Sequence, residues 1–126
     1  MDDTAFHQMH LGTFRAFTQY LDELAKSDEG RLLENLAGHF GELAERPEAL
    51  LDDGPGLVAR LFTLAPQLAT AFPRDLLWYL GGECLHYMPD EEIETLTRMD
   101  ENRQETAARG ETYNWRDVRA AELGLQ

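Results

Sequence analysis

An all-α fold is predicted: a compact single-domain bundle of five to seven helices around a buried central apolar helix. Three observations predict it. Apolar residues recur at three- and four-residue spacing along most of the chain. No segment alternates apolar and polar residues over the length of a strand. Pro, Gly, Ser and Asp cluster at intervals suited to helix ends.

Residues 4–26 place Phe6, Met9, Thr13, Phe17, Tyr20 and Leu24 on one stripe, widened by Phe14 and Leu21. They read as one long amphipathic helix capped at Asp3 or Thr4. Ser27, Asp28 and Gly30 end it, and Leu33, Leu36, Phe40 and Leu43 carry a second stripe as far as Pro47. Gly38 and Gly41 inside that stripe each cost a helix about 1 kcal/mol against Ala, which predicts a second backbone packed close to them. Asp52-Asp53-Gly54-Pro55-Gly56 reads as a turn on composition. Leu57, Leu61, Leu64 and Leu68 resume a helical period up to Phe72, with a kink or restart at Pro66.

Pro73 suits a first helical position, and Leu76-Leu77-Trp78-Tyr79-Leu80 is apolar on every side, the mark of a buried helix. Pro89 followed by Asp90, Glu91 and Glu92 starts another helix, its acids placed where the helix dipole favours them. Ile93, Leu96 and Met99 give it a short stripe. Residues 100–112 are nearly all polar and read as a connector. Asn114, with Asp117 three positions on, caps a last short helix over 113–124 that carries Trp115, Val118 and Leu123.

With 126 residues and 14.4 kDa, the chain suits one acidic domain with enough length for a core of its own. Against 24 acidic side chains stand 11 basic ones, giving a net charge of -13 and a pI near 4.5. Residues 1–53 hold 12 acids and four bases, residues 54–89 two of each, and residues 90–126 ten acids and five bases. Because an unpaired buried charge is expensive, the neutral middle is expected to form the core and the acidic flanks the outer helices.

The charge argues against direct binding to nucleic acid, which needs clustered Lys and Arg, and against an anionic membrane surface. No run nears the roughly 18 apolar residues of a spanning helix, and the opening Met1-Asp2-Asp3-Thr4 lacks the basic start of a signal peptide. The lone cysteine, Cys84, has no partner for an internal disulfide, which favours the cytoplasm. Ten Arg to one Lys point by association to a GC-rich bacterial genome.

Glu83 and His86 share a helix face at the spacing used by di-iron carboxylate bundles, and His7 and His10 form a second pair. On facing helices the four could bind zinc or iron; the competing reading has Glu83 and His86 satisfying one another and the other two histidines solvated. Cys84 and His86, two positions apart, point to different helix faces, so a small core residue is expected there rather than a nucleophile. No phosphate loop or serine elbow is present. The densest segment, residues 72–92, holds Trp78, Tyr79, Gly81, Gly82, Glu83, His86 and Tyr87. These form either a ligand or partner pocket, with the glycines admitting the guest, or a helix contact closed by buried polar groups.

Acidic pairs such as Asp22-Glu23 and Asp52-Asp53 could imitate DNA phosphates, although solubility and helix starts account for them equally. Tyr113, Trp115, Val118 and Leu123 form either a tethered helix for a partner's groove or a cover for their own domain. The expectation is therefore a non-enzymatic interaction or regulatory protein without cofactor. Its partner would be another protein, or a second copy bound through the Phe-rich stripe of the first helix. The alternatives are a ligand or metal domain centred on Glu83 and His86, and an acidic inhibitor.

Overall fold

Burial follows the apolar spacing through most of the chain, and the computed structural model, which describes residues 1–123, is all-α. Its six α-helices are α1 (Asp3–Ala25), α2 (Glu34–Ala44), α3 (Leu50–Leu64), α4 (Arg74–Leu80), α5 (Asp90–Ala108) and α6 (Trp115–Glu122). Four short 3-10 helices join them, and no strand occurs among the described residues. The chain gathers into two compact units, one of His10–Tyr87 and one of residues 1–9 with the chain from Met88 onward.

In the His10–Tyr87 unit, α1 buries Leu11, Phe14, Phe17, Leu21 and Ala25 at helical spacing. The Phe14 ring stacks on Phe40 of α2 at 5.5 Å, and Phe17 meets Phe72 at 4.6 Å. Arg15 donates two hydrogen bonds to the Ala44 carbonyl, an orphan acceptor at the end of α2, at 3.2 and 3.1 Å. The expected close approach to Gly38 and Gly41 is absent: a Cβ on either would meet nothing within 4 Å. The tight contact falls at Gly54 instead, where a Cβ would come within 2.9 Å of the Leu80 side chain.

Gly54 belongs to α3, because residues 52–56 are helical rather than a turn. A 3-10 turn over Pro47–Ala49 leads straight into α3, and Asp52 and Asp53 fall in its first turn, where the dipole favours acids. Pro55 forfeits one backbone hydrogen bond inside the helix. Burial of Leu50, Gly54, Leu57, Val58 and Leu61 on one face outweighs that loss and the local turn preference. A break after Leu64 and a 3-10 turn over Pro66–Ala69 supply the restart expected at Pro66. Pro73 caps α4 from one position before the helix, and Leu76, Leu77 and Leu80 are buried while Trp78 and Tyr79 are half-buried.

In the other unit, Asp2 Oδ1 accepts from the Ala5 amide at 2.8 Å and caps α1 one residue earlier than the expected pair. Residues 100–108 are not a connector. They continue α5 for its full 19 residues, and Arg103 takes the buried position that follows Leu96 and Met99. Gly110, at φ 69°, then stops the helix: its amide reaches the Ala107 carbonyl at 3.0 Å and the Glu111 amide reaches Thr106 at 3.0 Å. The last helix is α6, capped as expected by Asn114 Oδ1 accepting from the Asp117 amide at 3.0 Å. Residue 124, expected to end it, lies outside the described residues.

Candidate functional site

A concave surface lies in the His10–Tyr87 unit, between α2, α3 and the 3-10 helix Gly82–Tyr87. One face of α3 buries Leu50, Leu57 and Leu61, and the opposite face presents Asp52, Gly56, Arg60 and Thr63 at three- and four-residue spacing. Two clefts run along that face, of about 590 Å³ and about 500 Å³, sharing Gly56, Arg60 and Glu83. From Asp52 to Leu64 the groove follows α3 for about 18 Å at 1.5 Å per helical residue.

The two ends differ in character. At one, α2 contributes His39 and Glu42, and Arg46 follows just beyond it, opposite Asp52 and Asp53. Arg46 pairs with Asp53 at 3.4 Å, and His39 Nδ1 lies 3.7 Å from Glu42. At the other end Leu36, Ala59 and Leu64 form an apolar wall, with Leu64 49% exposed. Asp52, Arg60 and Glu83 line the groove with no ion pair or hydrogen bond among the described residues. The arrangement can hold an extended, oriented guest by charge and by apolar contact.

Of the seven residues for which a pocket and a helix contact were both open, only Gly82 and Glu83 line this groove. The cause is backbone geometry. Gly81 and Gly82 have φ of 66° and 53°, a left-handed pair that ends α4 and re-aims the chain, so the residues after them do not continue the face of α4. Tyr79 stacks on His10 at 4.1 Å, Tyr87 packs edge-on to Phe62 at 4.8 Å, and Trp78 is half-buried on α4. Gly82 rests on Pro55, where a Cβ would sit 3.5 Å from the proline ring. Arg74 holds the end of the 3-10 helix by donating to the Tyr87 carbonyl at 3.2 Å.

Glu83 and His86 are both exposed, with no hydrogen bond or ion pair joining them. His10 is buried and His7 half-buried. No three His, Cys, Asp or Glu side chains come together as a metal site among the described residues, so the metal alternative for His7, His10, Glu83 and His86 finds no support. Cys84 is fully buried, as a core residue would be, and its Sγ approaches the Pro55 carbonyl at 3.9 Å. Burial, aided by the neighbouring Glu83 carboxylate, pushes its thiol up to about 12.

Of the two roles open to the tail, a helix for a partner's groove or a cover for its own domain, its burial supports the cover. Trp115 is 2% exposed and its ring lies 4.8 Å from Phe6; Tyr113 and Val118 are half-buried and only Leu123 is exposed. Burial raises the Tyr113 phenol above its ordinary value, with the Glu122 and Asp100 carboxylates adding to the shift. The Phe-rich stripe of α1 is likewise used within the chain: Phe6, Phe14 and Phe17 are 3%, 0% and 6% exposed, which removes the basis for a homodimer through it.

His39, Glu42, Arg46, Asp52, Asp53 and Arg60 were not among the expected site residues. The one available signal was the polar, small-residue stripe on α3 opposite its leucines, hidden by reading residues 52–56 as a turn. No curated protein and no solved structure matches the chain. A family model described as PA2817-like matches residues 4–125, nearly the whole chain, and the protein therefore belongs to the PA2817-like family.

Proposed function

We propose that the protein is a non-enzymatic interaction protein that takes a segment of another protein into the groove between α2 and α3. The observation that carries this reading is the groove itself, in which Asp52, Arg60 and Glu83 have no ion pair or hydrogen bond among the described residues. Charged side chains held beside an apolar wall are what a polar-rimmed binding surface requires. Cys84 is a poor nucleophile where it sits, which supports binding over thiol chemistry. We place the protein in the bacterial cytoplasm, on its single buried thiol and its preference for Arg over Lys. No helix among the described residues is long and apolar enough to cross a membrane.

The mimicry alternative has less support, because many acids are used locally. Asp2 caps α1, Asp22 and Glu23 hold Lys26, Asp28 meets Arg31, and Asp3 and Asp100 hold Arg103. The test of the groove reading is co-purification of tagged protein from its native cells, comparing wild type with a Gly56→Trp variant, whose side chain fills the groove without changing its charge. The expected result is a discrete partner lost from the variant while the thermal melt is unchanged. A partner retained at wild-type level would sink the reading.

A further inference from the structure

We propose that the occupant of this groove is a basic, amphipathic segment of a partner protein, bound with its cationic side chain toward Asp52 and an apolar side chain toward Leu64. The inference rests on the groove reading above and adds the chemistry and polarity of the guest. Glu42, Asp52 and Asp53 face one end; Arg46 pairs with Asp53 and the His39 ring lies 3.7 Å from Glu42, which leaves the Asp52 carboxylate without an ion pair to attract a Lys or Arg. In the middle Arg60 and Glu83 cancel in formal charge. At the far end Leu36 and Leu64 offer apolar surface with no charged neighbour besides that central pair.

A guest matching this gradient carries its charge and its apolar anchor about 18 Å apart at most, five or six extended residues or three helical turns. The gradient also fixes direction, since a reversed segment would put its cation against Leu64 and leave the acids unmet. The net charge of the whole chain, -13, draws such a segment in before contact.

Gly56 supplies the handle for a test. It lines both clefts, and a Cβ there would meet nothing within 4 Å, so a large side chain fills the groove from a position that packs against nothing in the core. The probe is a random dodecapeptide library displayed on phage and panned against the full chain. Enriched peptides are then synthesised and their affinities measured by fluorescence anisotropy at low and high salt. The expected peptides join Lys or Arg to Leu, Ile, Phe or Met at a fixed offset. Their binding falls about tenfold or more with Gly56→Trp and with Asp52→Lys, and weakens with salt. A peptide with Glu in place of its Lys should regain affinity for Asp52→Lys, an exchange that a misfolded variant could not produce.

Enriched peptides without basic residues, yet sensitive to Gly56→Trp, would overturn the basic occupant and leave the groove standing. Peptides indifferent to Gly56→Trp would overturn the groove as well. An empty selection overturns the peptide occupant, and the co-purification experiment then decides the groove on its own.

Discussion

A guanidinium only 3% exposed must have its charge met inside the protein, and Arg103 meets it from several sides. It donates to Asp100 at 2.8 Å, Asp3 at 2.9 Å and the Met1 carbonyl at 3.0 Å, and lies 4.2 Å from the centre of the Phe6 ring. Asp3 is 91% exposed and still largely solvated, so Asp100, at 22%, is the stronger partner. Arg103→Met should lower stability by about 1–3 kcal/mol in urea unfolding followed by circular dichroism. Arg103→Lys should recover only part of this, because one ammonium cannot reproduce the planar fork. An unchanged midpoint for both would refute the role. Cys84 yields a prediction in pH. Its thiol in the folded protein titrates near 12 against an ordinary 9.0, so folding favours the protonated form. The stabilising contribution is whole below about pH 9 and is lost as pH climbs toward 12. The stability gap between wild type and Cys84→Ala should therefore narrow over that range, and a gap constant with pH would show that burial does not control the thiol.

At the scale of elements, α6 is a structural part of its unit. Removing the chain from Tyr113 onward strips Trp115 from Phe6 and should cost that unit about 3 kcal/mol or more in a thermal or urea melt. A melt unchanged by the truncation would mean the helix is dispensable for folding. The stripes of α1 and α2 were legible because each buried face repeats at the helical period, which in α2 outweighs the local cost of Gly38 and Gly41. The start of α3 was not, because Asp, Gly and Pro favour turns locally and the buried face of Leu50, Gly54, Leu57 and Leu61 emerges only when α4 packs against it. The second half of α5 escaped for a related reason: an Arg at a core position reads as polar surface unless its partners are known, and two of them, Asp3 and the Met1 carbonyl, lie about 100 residues away. The groove was legible only at Gly82 and Glu83. Its other walls are exposed polar side chains from separate helices, which carry no shared period.

At the scale of the whole molecule, the core is not confined to the neutral middle of the sequence, since the acidic first segment buries Phe14, Leu21 and Phe40, while the net -13 acts on everything at once. Repulsion among so many carboxylates opposes compaction and is screened within about 10 Å at 0.1 M salt. Moderate NaCl should therefore raise the melting temperature, despite weakening exposed pairs such as Lys26 with Asp22. A melting temperature that fell with salt would show that attractive pairs dominate. The two units also differ in when they can form. The His10–Tyr87 unit is continuous in sequence, whereas Phe6 and Asp3 must await Arg103 and Trp115, about a hundred residues later. On a ribosome releasing roughly 5–20 residues each second, the first turns of α1 spend several seconds without their eventual cover. Until Trp115 has emerged, Phe6 is an uncovered aromatic on the nascent protein, a natural foothold for a chaperone that the folded unit no longer offers.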